Sequence, residues 1–216
     1  SNTFINNLKT QIIMKNSIIV IGGGESGVGA AYLASKKGYN VFLSEFNTIE
    51  KKYKKILDDN QINYEEGGHT LNKFFNAKEV IKSPGVSNNS DIILKIKSKN
   101  IPVISEIEFA FRFNNSILIG VTGSNGKTTT CSLIHHILKS SGKSVGLAGN
   151  IGNSFSFLTA ENNFEYVVLE LSSFQLDDVI DFNPFISIIT NLTPDHLERY
   201  DSSFQNYVNS KFKIIS

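Results

Sequence analysis

A single cysteine, Cys131, stands among the 216 residues, so no disulfide bond can form within the chain. This scarcity is typical of proteins in a reducing, cytoplasmic compartment. No apolar run approaches the roughly 18 residues that a membrane-spanning helix needs. The one early apolar run, at 18–21, breaks into glycines, which argues against a secretory signal peptide. We therefore expect a cytoplasmic protein without a membrane partner.

An excess of charge of one sign is also missing. Lysine and arginine total 21 against 20 for aspartate and glutamate, which leaves a net charge of +1. Proteins that bind nucleic acid usually carry a strong basic excess, so this balance argues against a nucleic-acid partner. Hydrophobic residues at 40%, together with 16 glycines, place the composition in the ordinary globular range.

What the sequence does contain is an alternation of short β-branched runs and amphipathic stretches. The run at 18–21 predicts a buried strand, and 25–37 predicts the helix that follows it. Strands that alternate with helices in this way are typical of βαβ units and a parallel sheet. The sequence therefore predicts an α/β fold.

The alternation restarts after a polar stretch at 112–115, which we interpret as a linker. We predict a Rossmann-like domain with a parallel sheet at 14–112 and a P-loop-type α/β domain at 116–216. Residues 1–13 precede Met14 and are predicted to be an extension that is either disordered or vector-derived.

The first glycine-rich loop directly follows a predicted strand and opens a helix. Gly22, Gly24 and Gly27 have the spacing G-x-G-x-x-G, and Glu45 follows Gly24 by 21 residues at the end of the next strand. Such glycines let a pyrophosphate approach the backbone, and the acidic residue meets a ribose. The motif predicts a cradle for a nucleotide diphosphate and leaves open which nucleotide. A glycine turn that only packs a helix onto a sheet is the alternative.

The second glycine-rich loop, at 122–129, also lies between a predicted strand and a predicted helix. Its spacing is Gly-x-x-Gly-Lys-Thr, shorter than the general phosphate-loop motif, which would need glycine at Val121. Lys127 can reach the β- and γ-phosphates, and Thr128 can hold Mg²⁺. The predicted ATP-binding residues are Gly123, Ser124, Asn125, Gly126, Lys127, Thr128 and Thr129.

Further polar residues follow later strands. Glu170 ends a strand at the edge of a parallel sheet where ligands bind, although position alone would equally suit a capping carboxylate. A lone histidine such as His196 is more often structural than a ligand. We set aside His69, for want of an acidic or cysteine partner, and Cys131, which we expect in the core.

Together these segments resemble the Mur ligase family. The resemblance rests on the short phosphate loop, the E-L-S-S-F-Q-L segment, the N-L-T-P-D-H-L-E-R-Y segment and the S-P-G-V segment, which lie at 122–128, 170–176, 191–200 and 83–86. The E-L-S-S-F-Q-L segment is similar to the branch of the family that adds D-glutamate. The resemblance covers nearly the whole chain from Met14 onward.

The resemblance implies an ATP-dependent amide ligase that works through an acyl phosphate in peptidoglycan precursor synthesis. The implied substrates are UDP-N-acetylmuramoyl-L-alanine, D-glutamate and ATP, with Mg²⁺ at two sites, and the implied state is a monomer. The first domain would bind the UDP moiety and not NAD. The second, ATP-binding domain would be truncated and the third domain missing, so we expect no turnover from this chain.

The same resemblance implies a role for individual residues. Lys127 corresponds to the phosphate clamp, Thr128 and Glu170 to ligands of one Mg²⁺, and His196 to part of a second site. Lys211, fifteen residues after His196, corresponds to a carbamylated lysine, whose oxygens would suit Mg²⁺. The implied contacts to the UDP precursor are Ser26, Gly27, Glu45, Ser83, Gly85 and Asn150. Phe46 and Asn47 depart from the family's contacts to uracil.

Three other functions remain open at this point. The first is an NAD-binding Rossmann module fused to a P-loop domain. The second is a ligase similar to folylpolyglutamate synthase, which shares the short phosphate loop but lacks the N-terminal cradle. The third is a binding fragment without catalysis.

Overall fold

The computed structural model describes residues 16–215, which divide between Ile104 and Ser105 into two units. The predicted extension at 1–13 lies outside the described residues. Within residues 16–215, each helix is too short or too polar to cross a lipid bilayer.

The first unit is a parallel sheet with interspersed helices. Its strands are β1 (Ser17–Ile21), β2 (Asn40–Ser44), β3 (Asn63–Glu65), β4 (Glu79–Lys82) and β5 (Val103–Ser105), in the order β3-β2-β1-β4-β5. Its helices are α1 (Glu25–Lys36), α2 (Lys51–Asp59), α3 (Leu71–Phe74) and α4 (Asp91–Lys97). Strand β1 pairs in parallel with β2 on one side and with β4 on the other. The carboxyl ends of these three strands therefore form a crevice where the chain changes direction across the sheet, which is where α/β sheets bind ligands.

Small residues bring helix α1 close to the start of the glycine loop. A Cβ atom on Gly27 would lie 1.9 Å from the carbonyl oxygen of Gly22 and 2.8 Å from Ser83 Oγ. Only glycine fits at that distance, so Gly27 allows the helix to pack on the loop. The neighbouring strand β1 is apolar and buried almost throughout, as is usual for a parallel strand with helices on both faces.

The second unit is another parallel sheet. Its strands are β6 (Ile117–Thr122), β7 (Val145–Gly149), β8 (Tyr166–Glu170) and β9 (Ile186–Ile189), in the order β7-β8-β6-β9. Its helices are α5 (Glu106–Phe111), α6 (Lys127–Ser140), α7 (Phe155–Glu161), α8 (Ser173–Leu176) and α9 (Phe204–Phe212), with short 3-10 helices at Leu197–Arg199 and Lys213–Ile215. The α/β fold with parallel sheets predicted from the sequence is confirmed.

The division between the units lies before helix α5, whereas the sequence predicts a linker after it. The reason is the buried carboxylate of Glu108. Its Oε2 accepts hydrogen bonds from the backbone N–H groups of Ile180, Asp181 and Phe182, at 2.9, 3.0 and 3.0 Å. Glu106 Oε1 accepts another from the N–H of Ser156 at 2.5 Å. Both partner segments belong to the second unit, so α5 belongs there too.

Replacing Glu108 with alanine is expected to destabilise the second unit strongly. Three buried N–H groups would lose their acceptor, which costs about 3 kcal/mol or more. Chemical denaturation of the chain measures the change in the free energy of unfolding. The matched control is Glu165→Ala, which removes a half-exposed carboxylate paired with Lys143 at 2.8 Å and should have a much smaller effect. Equal losses from the two variants would contradict this account of α5.

Candidate functional site

The loop between β6 and α6 is built to receive an anion. Gly123 and Gly126 have φ values of +141° and +82°, a region that favours glycine. Gly126 precedes α6 and no side chain of residues 16–215 caps it. The first N–H groups of a helix lack partners within the helix and carry partial positive charge, so this helix end attracts phosphate.

Two residues after strand β9 hold this loop in shape. Asn191 accepts from the N–H of Ser124 through its backbone oxygen and from the N–H of Asn125 through Oδ1, both at 3.0 Å. Thr190 Oγ1 donates to the carbonyl oxygen of Asn125 at 2.6 Å. A Cβ atom on Gly123 would lie 2.0 Å from Thr190 Oγ1. Neither Thr190 nor Asn191 has a role predicted from the sequence, although their position after a strand could have pointed to one.

Lys127 places its ammonium group directly on the loop. Its Nζ donates to the carbonyl oxygens of Gly123 and Ser124, at 2.8 and 3.0 Å. A cation and an uncapped helix end thus share one loop, and together they can neutralise a phosphate chain.

The carboxylate of Glu170, at the end of strand β8, contacts the start of helix α6. Its carboxylate is only 2% exposed. Oε2 accepts from Thr128 Oγ1 at 2.8 Å, and Oε1 accepts from Asn150 Nδ2 at 3.0 Å. Among residues 16–215, no group of three or more histidines, cysteines and carboxylates could hold a metal ion. A hydroxyl and a carboxylate nevertheless fit Mg²⁺, which usually takes one or two protein oxygens and completes its shell with water and phosphate.

Lys211 on helix α9 is buried against the same loop. It is 2% exposed, and its Nζ donates to the carbonyl oxygen of Gly123 at 3.0 Å. The pKa of Lys211 is lowered to about 8, chiefly by burial and next by the cation of Lys127, while Asp195 opposes the shift. An appreciable fraction of this amine is therefore neutral at pH 7–8, unlike that of an ordinary lysine.

Tyr207, one turn before Lys211, also contacts the phosphate loop. The hydroxyls of Tyr207 and Ser124 are 2.9 Å apart, and Ser124 Oγ donates to the carbonyl oxygen of Thr193 at 2.8 Å. The side chain of Ser124 is thus used inside the protein, as are its backbone N–H and carbonyl groups. No sequence signal pointed to Tyr207.

His196 lies on the segment after β9, beside two carboxylates. Its Nε2 is 3.6 Å from Asp195 Oδ2, and its Nδ1 is 3.6 Å from Glu198 Oε1. The ring packs against Phe174, with centroids 5.3 Å apart. His196 has a φ of +49°, and its side chain is 55% exposed. The pairing of His196 with Lys211 at one metal ion stays a prediction.

The first unit contains a cavity of about 850 Å³ at the carboxyl ends of β1, β2 and β4. Four of the predicted contacts to the UDP precursor line it: Ser26, Glu45, Ser83 and Gly85. Gly27 is buried behind the loop, where it serves the packing of α1. Asn150 belongs to the second unit, where it contacts Glu170.

Glu45 and Ser83 give this cavity its polar character. The carboxylate of Glu45 accepts from the N–H groups of Gly23 and Asn47, at 2.5 and 2.7 Å. Ser83 Oγ is buried and has no hydrogen-bond partner among residues 16–215. This hydroxyl packs beneath the glycine loop, 2.4 and 2.8 Å from the positions that Cβ atoms on Gly22 and Gly27 would take, and is an unsatisfied polar group beside the cavity.

His69 also lines the cavity, and a serine links it to a carboxylate. Its Nδ1 is 2.7 Å from Ser44 Oγ, which in turn donates to Glu65 Oε1 at 2.7 Å. Burial lowers the pKa of His69, while the carboxylates of Glu65 and Glu45 oppose the shift. Because a serine stands between the two residues, no sequence motif reveals this link.

Both halves of the chain match known protein families. Residues 17–92 match the family described as MurD N-terminal domain, and residues 121–216 match the Mur ligase middle domain. Curated relatives with the name UDP-N-acetylmuramoylalanine–D-glutamate ligase include one from Bacteroides fragilis, 53% identical over 197 residues, which are 91% of this chain and 44% of the relative. Another, from Chlorobaculum tepidum, is 41% identical over 90% of this chain and 43% of its own length. The chain thus spans less than half the length of these relatives.

Solved structures share the fold. A UDP-N-acetylmuramate:L-alanyl-gamma-D-glutamyl-meso-diaminopimelate ligase from Neisseria meningitides superposes with a TM-score of 0.62 at 19% identity, covering 93% of this chain and 68% of that one. A UDP-N-acetylmuramate-alanine ligase from Thermotoga maritima superposes with a TM-score of 0.57 at 24% identity, covering 92% of this chain and 47% of that one. Identities this low support the fold alone.

Proposed function

Because the chain belongs to the Mur ligase family, we propose that it is the nucleotide-binding part of an enzyme that adds D-glutamate to UDP-N-acetylmuramoyl-L-alanine with the use of ATP, in peptidoglycan precursor synthesis. The observation that carries the proposal is one end of the second sheet. There Lys127 and the start of α6 meet the buried carboxylate of Glu170 and the hydroxyl of Thr128, an exposed residue, and the Oε2 and Oγ1 atoms of these two residues are 2.8 Å apart. This arrangement suits a nucleoside triphosphate and its metal ion.

The reaction would form an amide in two steps. The γ-phosphoryl group of ATP passes to the alanyl carboxylate, which gives an acyl phosphate and ADP. The amine of D-glutamate then attacks the acyl carbon, and phosphate leaves as the amide forms. The N–H groups at the start of α6 and the ammonium of Lys127 would bind the phosphate chain and offset the charge of the anionic reactants.

The residues that would hold Mg²⁺ are Thr128 and Glu170 at one site and His196 and a carbamylated Lys211 at the other. The bound ions would supply positive charge that screens the phosphates from the attacking carboxylate. The protein's own contribution is to hold these oxygens in place: Asn150 orients the carboxylate of Glu170, and Tyr207 fixes the loop through Ser124.

The first unit would bind the UDP moiety through its glycine loop. Ser26 and Gly27 at the start of α1, with Glu45, Ser83 and Gly85, would surround the diphosphate and ribose, and Asn150 would contact the muramoyl-alanine end. We propose a monomer in the cytoplasm, where ATP is available. The match of 17–92 to a MurD N-terminal domain supports a UDP ligand over NAD.

Titration of this chain with UDP-N-acetylmuramoyl-L-alanine, UDP and NADH tests the assignment directly. We expect saturable binding of both UDP compounds, no specific binding of NADH and no ligase turnover. Calorimetry or protein-detected NMR measures the binding of each ligand. The control for the cradle is Ser83→Ala, which removes the unsatisfied hydroxyl and should weaken UDP binding. Saturable NADH binding without a response to UDP would overturn the proposal in favour of a dehydrogenase-type cradle.

A further inference from the structure

The turn at 196–203, which carries His196, has an unfavourable backbone conformation. His196, Asp201 and Ser202 have φ values of +49°, +53° and +56°, a region that residues other than glycine seldom occupy. The N–H groups of Tyr200 and Ser202 both donate to the carbonyl oxygen of Leu197, at 2.9 Å. Such a conformation persists only where the surrounding structure holds it, so contacts to other elements are needed to fix this turn.

Tyr200 supplies the anchor of the turn. It is the one buried side chain between residues 196 and 203. Its ring stacks on that of Phe174 in helix α8, with centroids 6.0 Å apart and planes at 14°. It also packs against Tyr207 in helix α9, with centroids 5.7 Å apart and planes at 71°. Aromatic pairs are stabilising in both arrangements, so Tyr200 attaches the turn to α8 and α9.

Phe174 contacts two further residues of the turn. Its ring centroid lies 5.3 Å from that of His196, and the guanidinium carbon of Arg199 lies 4.4 Å from it. A cation over an aromatic face is attracted to it, which adds to the packing. The carboxylates beside His196 belong to its own segment, whereas Phe174 belongs to α8 and ties the ring to another element.

The two helices beneath the turn are joined to each other. The buried Ser210 in α9 donates from Oγ to the carbonyl oxygen of the buried Ser173 in α8, at 2.8 Å. The hydroxyl of Tyr200 adds longer contacts, 3.2 Å to Asp177 Oδ2 and 3.4 Å to Ser210 Oγ. The turn therefore rests on a fixed base, and the ring of Tyr200 contributes more to its attachment than the hydroxyl does.

We propose that Tyr200 and Phe174 are positioning residues: Tyr200 anchors the turn, and Phe174 holds the ring of His196 in the place from which it serves the reaction. This inference rests on the proposed function, which gives His196 its role. Tyr207 links the pair to the phosphate loop, because its hydroxyl is 2.9 Å from Ser124 Oγ. The position of His196 is therefore set by the same packing that holds the loop, and both residues act through His196.

Proton NMR of this chain tests the positioning without turnover. The chain has four histidines, so the ring C–H resonances of His196 can be assigned with the variant His196→Gln. An aromatic ring displaces the resonances of its neighbours, so those of His196 should differ from free histidine at the same pH. In Tyr200→Leu we expect them to move toward the values of free histidine. The resonances of the other three histidines should stay in place.

Two further variants identify the group that acts. Tyr200→Phe keeps the stacked ring and loses only the hydroxyl, so it should leave the His196 resonances where they are. The matched control is Tyr166→Leu, the same change as Tyr200→Leu at a half-buried tyrosine, at the start of strand β8. Because Glu170 and α8 follow the other end of that strand, the control should not move the His196 resonances either.

Kinetics of a protein with the length of the curated relatives gives an independent readout. Tyr200→Leu should lower kcat about tenfold or more, because a small misplacement of a reactive group is costly. The KM for the UDP substrate should stay nearly unchanged, since the cavity of the first unit is untouched. Tyr200→Phe should retain most of the turnover, and circular dichroism verifies that each variant is folded.

Unchanged His196 resonances in a folded Tyr200→Leu variant, or turnover no lower than that of Tyr166→Leu, would overturn this inference and leave the proposed function intact. Absence of ATP-dependent ligation by the unaltered full-length enzyme would overturn both. If Tyr200→Leu does not fold, Phe174→Leu decides by the same measurements, because it removes the contact to His196 directly and Phe174 is only half-buried.

Discussion

Replacing Lys127 with alanine is expected to lower the ATP-dependent turnover of the full-length enzyme by about 10²-fold or more. The ammonium of Lys127 lies 2.8 Å from the carbonyl oxygen of Gly123, on the loop that would hold the triphosphate. No other described lysine except Lys211 contacts that loop. Without Lys127, charge that develops on the transferred phosphoryl group loses its nearest cation. Steady-state assay of a protein with the length of the curated relatives measures the loss.

The matched control is Lys139→Ala, which removes an exposed lysine from the last turn of the same helix. It changes the net charge equally and should leave turnover near that of the unaltered enzyme. Circular dichroism of both variants verifies that α6 still folds. Turnover of a folded Lys127→Ala variant within a few fold of the unaltered enzyme would remove Lys127 from the proposed mechanism.

The two glycine loops and the strands that precede them are predicted from local motifs in the sequence. Both loops follow strands of β-branched residues, and the carboxyl ends of parallel strands meet at one edge. That rule predicts Glu170 at the ligand-binding edge of the sheet, and the resemblance to the Mur ligases pairs it with Thr128. The structure places their side-chain oxygens 2.8 Å apart although 42 residues separate them. Where a residue ends a strand of a known sheet, its neighbours can thus be inferred.

Contacts between distant elements without a motif could not be predicted. Tyr207 meets Ser124 across 83 residues because α9 packs on the loop, and nothing in the spacing of α9 reveals that orientation. The sequence places helix α5 at the end of the first domain. Its attachment to the second unit depends on the buried carboxylate of Glu108, which no apolar pattern reveals. No motif reveals the link from His69 to Glu65, because it passes through Ser44 on strand β2.

Replacing Lys211 with alanine is expected to remove most of the activity of the full-length enzyme, about 10²-fold or more. Lys211 is buried, and its Nζ lies 3.0 Å from the carbonyl oxygen of Gly123. With a pKa of about 8, part of the amine is neutral, and a neutral amine can add carbon dioxide to give a carbamate and a proton. The carbamate would present two oxygens to Mg²⁺ where the ammonium presents none. Activity should therefore rise with bicarbonate and with pH through about 8.

Rescue distinguishes a carbamate from a lysine that only supports the fold. Lys211→Ala leaves space beside Gly123, so acetate or formate should enter and restore part of the activity by supplying oxygens. Lys211→Met fills that space without oxygens and should not be rescued, and thermal unfolding of both variants verifies the fold. If the enzyme works equally well without bicarbonate and Lys211→Ala retains near-normal turnover, Lys211 has no role in the metal site. In that case its burial beside the cation of Lys127 would serve only to anchor α9 to the phosphate loop.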